Sequence, residues 1–290
     1  MPEINHRLLK FCSPTNYALQ NLESGVIYCQ HFSAYNDPFE FWSRILSGVP
    51  DAEQEPERLL AALKAWGYDF SSIEQALKDY DFCAQAREYF DECDNYGLPF
   101  DQMRDEVRIA CFGSEIDNLL MWSHYADGLR GFCIAFDESS VVAAEPEGYM
   151  IDVSYLDCPP PVDTLIYGIS RDQEWFHQMA IEEEGRNPDY AEVAAEALKT
   201  MLGIWQNVFA VKPSEWKYER ERRLLVQTDR SDTTAILRSY PHEAIKEVIL
   251  GERMPDEYRS NILSILKEHY SDVPVKTARR AQGVYTLVID

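Results

Sequence analysis

The sequence predicts an α+β fold, a mixed and largely antiparallel sheet core with an inserted acidic helical block. Three observations lead there. Apolar runs at residues 7–11, 26–29, 108–112 and 131–136 have strand length and strand composition. Between residues 51 and 105, apolar side chains recur with a period of about 3.6 residues inside acidic text. Finally, strands and helices do not alternate regularly, which argues against a doubly wound parallel sheet. The 290 residues are expected to form one domain spanning 1–290, with the helical block at about 51–105 as its insertion.

The elements follow in order. Residues 7–11 read as a first strand. Ser13-Pro14-Thr15 then offers a helix N-cap with proline close behind it, with Tyr17, Leu19 and Leu22 as the apolar positions and Gly25 as the stop. Residues 26–29 resume as a strand, and Asn36-Asp37-Pro38 breaks regularity. Leu59, Leu60, Leu63 and Trp66, then Ile73, Leu77 and Tyr80, mark the helical block. A short helix is expected over 117–125, between the strands at 108–112 and 131–136. Residues 149–155 read as another strand, stopped by Pro159-Pro160-Pro161. Helices are expected across 171–211 and about 256–270, and strands at 222–228, 245–250 and 283–289. The N-terminal strand is expected beside the strand at 222–228.

Charge narrows the function. The chain has 27 basic and 50 acidic residues, a formal charge of −23. Phosphate-backbone binding needs a lysine and arginine footprint, so a nucleic-acid partner is disfavoured. Docking on anionic membranes is disfavoured for the same reason. No apolar run approaches the roughly 18 residues of a spanning helix. The opening residues lack a basic-then-apolar signal layout. Seven cysteines, an odd number with no C-x-x-C spacing, read as reduced and mostly buried thiols in a cytoplasmic protein, with no metal expected.

Four clusters carry chemistry. Asn36-Asp37-Pro38-Phe39-Glu40 is either an Asx-turn or a rigid loop presenting Asn36, Asp37 or Glu40 to a ligand. Residues 118–127 pack Trp122, Ser123, His124, Tyr125 and Asp127 together. Trp122 and Tyr125, three apart, share a helix face as packed core or as a wall for a flat ring. The third cluster runs from Lys212 to Arg223. If its strand begins near Tyr218, then Glu219, Glu221 and Arg223 share one face, as a catalytic pair or as a charged edge that resists aggregation. In the fourth, His6, Arg7 or Lys10 could meet a phosphate. Polar groups this dense in apolar text must bind a ligand or each other. One pocket gathering Asn36, Asp37, Trp122, His124, Tyr125, Glu219 and Glu221 is therefore expected.

Taken together, these clusters resemble a bacterial family known as domain of unknown function 2971. The residues carrying the resemblance are Leu9-Lys10-Phe11, Asn36-Asp37-Pro38-Phe39-Glu40, Cys111-Phe112, Met121-Trp122-Ser123-His124-Tyr125-Ala126-Asp127, Gly131, Trp216-x-Tyr218-Glu219-x-Glu221-x-Arg223 and Ile249-Leu250-Gly251. Cys12 stands where that family has an arginine. The strand–helix–strand opening and the late Glu-x-Glu are also similar to mono-ADP-ribosyltransferases. That similarity implies NAD as cofactor and a small-molecule or protein acceptor it does not specify. Glu221 would then stabilise the oxocarbenium-like ribose, and Glu219 would serve the acceptor. Trp216 would steer the acceptor, Tyr28 would line the nicotinamide pocket, and Lys10 would be the NAD-anchoring cation. Asn36, Asp37, Trp122, His124 and Tyr125 would complete the cofactor site.

Two other readings stay open. A non-catalytic ligand-binding or regulatory protein needs only the Trp122, Tyr125 and Trp216 aromatic pocket. A metal-dependent nuclease would use Asp37 with Glu215 and Lys217, and the charge of −23 weighs against it.

Overall fold

The computed structural model describes residues 7–95, 98–144, 148–184, 188–230, 232–270 and 272–290, so His6 lies outside the described residues. The fold is α+β with a mostly antiparallel sheet arrangement. The chain opens with β1 (Arg7–Cys12), α1 (Asn16–Ser24), β2 (Val26–Cys29) and β3 (Arg44–Leu46). The helical block holds α2 (Pro56–Ala65), α3 (Ile73–Ala76), α4 (Tyr80–Asn95) and α5 (Phe100–Glu106). Next come β4 (Val107–Phe112), α6 (Leu119–His124), β5 (Phe132–Asp137), α7 (Glu138–Ala143), β6 (Gly148–Asp152), β7 (Ser154–Leu156) and β8 (Pro161–Asp163). Two long helices follow, α8 (Thr164–Glu184) and α9 (Pro188–Phe209). The tail holds β9 (Val211–Pro213), β10 (Arg222–Gln227), β11 (Ile236–Ser239), β12 (Ile245–Gly251), α10 (Asp256–His269), β13 (Val275–Arg280) and β14 (Leu287–Ile289).

These elements fall into two compact units. Met1–Glu40, Gln102–Asp157 and Lys212–Asp290 form the first, and Phe41–Asp101 with Cys158–Val211 form the second. The acidic helical block thus lies mainly in the second unit, together with α8 and α9.

The first unit is built on two sheets. One has the order β1-β5-β12-β13-β14 and the other β4-β10-β6. They share a core in which Leu8, Phe136 and Val248 meet Phe112, Leu224 and Val226, closed by Ile262 and Leu266 of α10. The next residues along the same strands, Leu9, Ala135 and Ile249, point the other way and pack with Trp122 and Met121 of α6. A sheet covered on both faces needs continuous apolar strands, which is why β5 reads Phe-Cys-Ile-Ala-Phe.

Pairing corrects one expectation. β1 lies beside β5, with Leu9 opposite Ala135, and not beside β10. Both edges of β10 are already occupied, by β4 and by β6. After α10 the chain holds two strands where one was expected, because β13 buries only Ala278 of its six residues and gives no apolar signal.

Two glycines show why side chains are excluded locally. Gly25 ends α1 at a φ of +65° and its N–H caps the carbonyls of Asn21 and Leu22. Gly251 ends β12 where a Cβ would stand 2.1 Å from the backbone oxygen of Leu129. That oxygen accepts the Arg253 N–H at 3.0 Å, so it cannot yield cheaply. Gly251→Ala should therefore lower stability by roughly 1–3 kcal/mol, read as a shift in the urea midpoint. An unchanged midpoint would contradict the close approach.

The second unit packs α2, α4 and α8 around Leu63, Phe90, Cys93, Leu165 and Ile169. Trp66 stacks on Tyr89 at 4.6 Å, and Arg58 pairs with Asp163 at 2.6 Å. Among the described residues, no helix is long and apolar enough to cross a membrane. All seven cysteines are unpaired; Cys29, Cys93 and Cys133 are buried, while Cys158 is exposed.

Candidate functional site: a buried charge network under an aromatic face

The third sequence cluster does not form the strand face expected of it. Ser214–Glu219 is a 3₁₀ turn, Arg220 takes a φ of +43°, and β10 begins only at Arg222. The turn and the left-handed residue bring Glu219 and Glu221 to one point from a non-strand path. Nor is the segment a charged exposed edge. Glu219 is 3% exposed, Glu221 4% and Arg223 0%.

The point they share is Lys212. Its Nζ stands 2.7 Å from Glu219 Oε2 and 2.7 Å from Glu221 Oε2. Arg223 continues the chain of charges. Its Nε donates to Glu221 Oε1 at 2.7 Å, and its Nη1 and Nη2 reach the two oxygens of Glu40 at 2.6 and 3.0 Å. Of these two contacts the one from Nη2 to Oε2 is a charge-assisted hydrogen bond and the other is an ion pair. At the other end the Tyr125 hydroxyl donates to Glu219 Oε1. The network thus runs Tyr125, Glu219, Lys212, Glu221, Arg223, Glu40, wholly within the first unit.

Three carboxylates face two cations, and the titration of each group follows from that imbalance. Burial would raise the Glu221 carboxyl, but Arg223 and Lys212 outweigh it and hold it well below the usual carboxylate range. Burial pushes the Glu219 carboxyl up, against Lys212 and Tyr125. Glu40 is likewise raised by burial, against Arg223. Burial alone would lower Lys212, yet the neighbouring glutamates hold it above the usual lysine range. Lys212 is therefore held as a cation, while burial pushes both Glu219 and Glu40 towards the neutral acid.

Above the network lies a run of rings. Lys212 Nζ sits 5.3 Å from the Trp216 ring centre. Trp216 neighbours Tyr218 at 6.2 Å, Tyr218 neighbours His124 at 6.1 Å, and His124 neighbours Tyr125 at 6.5 Å. His124 is exposed, while Tyr125, Trp216 and Tyr218 are half-buried. The Asn118 side-chain amide donates to the Tyr218 carbonyl, tying α6 to the 3₁₀ turn.

The other expected residues are placed differently. Trp122 is fully buried, its Nε1 donates to the Ile116 carbonyl at 2.7 Å, and its ring meets Phe11 edge-on at 5.4 Å. It is core and not a ligand wall, because Met121 beside it in α6 and Ala126 just beyond the helix are buried in the same cluster. Asp37 is buried and spends Oδ1 on the Phe39 N–H at 2.9 Å, the Asx-turn reading. Asn36 is exposed. From that motif it is Glu40, not Asn36 or Asp37, that joins Glu221. Lys10 donates to the Cys111 carbonyl at 3.0 Å and lies over the Phe112 ring. Tyr28 sits on β2 opposite Leu237 and is largely exposed. Neither enters the network's hydrogen bonds or ion pairs among the described residues. Glu215 and Lys217 face solvent on the 3₁₀ turn, and among the described residues no cluster of three or more His, Cys, Asp or Glu is placed to hold a metal ion.

Comparison with known proteins adds one finding. Residues 121–224 match the family described as "Protein of unknown function (DUF2971)", which supports membership of that family. The matched stretch contains Tyr125, Lys212, Glu219, Glu221 and Arg223, but not Glu40. No curated protein and no solved structure matches the chain.

Proposed function

We propose that the chain is a non-catalytic ligand-binding or regulatory protein. The buried network is its scaffold, and the His124, Tyr125, Trp216 and Tyr218 face is its contact surface for a planar ligand ring. One observation carries this reading: each Glu221 oxygen is already engaged by a buried cation. A carboxylate that stabilises an oxocarbenium ion must be an anion whose charge is free to act on the sugar. Glu221 is an anion whose charge is spent, and Glu219 is pushed towards the neutral acid.

The ADP-ribosyltransferase reading keeps one observation in its favour. The chain opens with β1, α1 and β2, and places Glu-x-Glu directly before β10. On that reading a bound NAD must draw Glu221 away from Lys212 or Arg223 before nicotinamide can leave.

Two measurements on the purified protein separate the readings. Planar heteroaromatic fragments should perturb the His124 ring signals in NMR titrations, and Trp216→Ala should weaken that binding about tenfold or more, the loss expected of a stacking ring. Incubation with NAD and a cell extract as acceptor source should release no nicotinamide above the blank. Nicotinamide release abolished by Glu221→Gln would replace this proposal with the transferase.

A further inference from the structure

At the end of β10 away from Glu221 lies an open groove of about 840 Å³ in the first unit. Glu106, Tyr149, Gln227, Asp229, Arg230 and Arg238 line it. Its size falls in the range of small-molecule and cofactor sites, about 300–1,000 Å³.

The groove wall is fixed from below. Arg108 is fully buried, and its guanidinium donates only to backbone carbonyls in the contacts that hold this wall. Those are Thr234 and Asp105, each at 2.7 Å, and Asp232. Its nearest carboxylate oxygen, on the largely exposed Asp232 side chain, is 3.7 Å away. The loop after β10 is thus pinned to β4 around a buried positive charge. Thr228 adds two more ties, its N–H and its hydroxyl both donating to the Glu106 carbonyl, at 2.8 and 2.9 Å. Arg230 and Arg238 then add two further cations at the groove. Two arginines thus line one groove of a chain of formal charge −23. Arg230 and Arg238 there offer an anion two charge-assisted partners.

Two further features define the ligand. Tyr149 stands on β6, paired with Leu225 of β10, and is 59% exposed, so it offers a ring face on a rigid strand. Asp229 and Glu106 offer carboxylate acceptors beside the arginines. A planar ring for Tyr149, hydroxyls for the carboxylates and an anion for the arginines are together the parts of one molecule. We propose that this groove binds a nucleoside phosphate, with its base on Tyr149, its ribose hydroxyls towards Asp229 and Glu106, and its phosphate on Arg230 and Arg238. The site is separate from the aromatic face proposed above.

Isothermal titration calorimetry of the full chain with AMP tests it. Saturable one-to-one binding is expected, with adenosine and inorganic phosphate each at least about tenfold weaker, since each fills only part of the groove. Arg230→Gln and Tyr149→Ala should each weaken AMP about tenfold or more, from the loss of a charge-assisted hydrogen bond and of a stacked ring. Both side chains are exposed, so circular dichroism should show the parent fold. Arg230→Gln should weaken AMP in the Trp216→Ala background as well, since the two sites are separate. The proposal is overturned by no saturable AMP binding at millimolar concentration, or by parental affinity in both groove variants. It is equally overturned if Arg230→Gln leaves AMP binding unchanged in the Trp216→Ala background.

Discussion

Lys212→Met should lower the stability of the protein by about 3–5 kcal/mol, the usual cost of leaving a buried charge without its partner. Methionine keeps much of the side chain's length and apolar stem, so lost packing is the smaller part. The larger part is electrostatic. Without Lys212, Arg223 is the one remaining cation of the network for Glu40, Glu219 and Glu221. Glu219 would then face only the Tyr125 hydroxyl, which can bond to it but cannot neutralise it. Urea unfolding followed by circular dichroism measures the loss, with failure to accumulate folded protein as its extreme form. A change below about 1 kcal/mol would match an exposed ion pair and contradict the account.

The same variant has a signature in pH and in a second substitution. Burial already raises the Glu219 carboxyl, and removing Lys212 raises it further. A group raised in the folded state contributes stability below its ordinary value and loses that contribution as pH rises through the folded value. The deficit of Lys212→Met should thus be larger at neutral pH than in mild acid. Adding Glu219→Gln removes the stranded charge, so the double variant should recover part of the loss. A double variant with the two losses simply added would deny that Lys212 and Glu219 act as a pair.

Much of the framework was legible in the sequence. The runs at β4, β5 and β12 announced themselves because most of both faces is buried, so their text is largely apolar apart from Arg108 in β4 and Lys246-Glu247 in β12. Gly25 and the Ser13-Pro14-Thr15 segment, whose Thr15 is the cap, marked the ends of α1 through backbone chemistry that depends on few neighbours. β13 stayed hidden because Val275–Arg280 buries only Ala278. The β10 pairing stayed hidden because apolar pattern shows that a strand is buried without naming its neighbours.

The site was half legible. Glu219, Glu221 and Arg223 stood out as charges leading into the apolar Leu224-Leu225-Val226, and such charges must be neutralised if they follow the strand inside. Their partners lie elsewhere: Lys212 across a 3₁₀ turn and Glu40 in a remote part of the chain. Nothing local ties Glu40 to Arg223. The left-handed conformation at Arg220, an arginine and not a glycine, also carries no sequence signal. Trp122 was readable as core from Met121 and Ala126 at helical spacing. Its neighbourhood of Ser123, His124 and Tyr125 pointed instead to a ligand wall.

The central claim is that Glu221 serves the fold, and the stability of Glu221→Gln tests it most directly. The amide keeps the shape and loses the charge that lies between the two cations, leaving Lys212 with Glu219 and Arg223 with Glu40 as their remaining ion-pair partners. Denaturant unfolding at neutral pH should show a loss of about 1.5–3 kcal/mol, the range for hydrogen bonds to charged groups. Because Lys212 and Arg223 hold this carboxyl well below the usual range, its contribution is present above the ordinary glutamate value, about 4.3, and fades only as pH falls below it. The gap between parent and variant should therefore be widest at neutral pH and close towards strong acid. Carboxylates kept for catalysis commonly hold a site at the expense of stability, and replacing them leaves a protein as stable or more so. A Glu221→Gln variant with a midpoint at or above the parent's, and no pH dependence in the difference, would contradict the scaffold account.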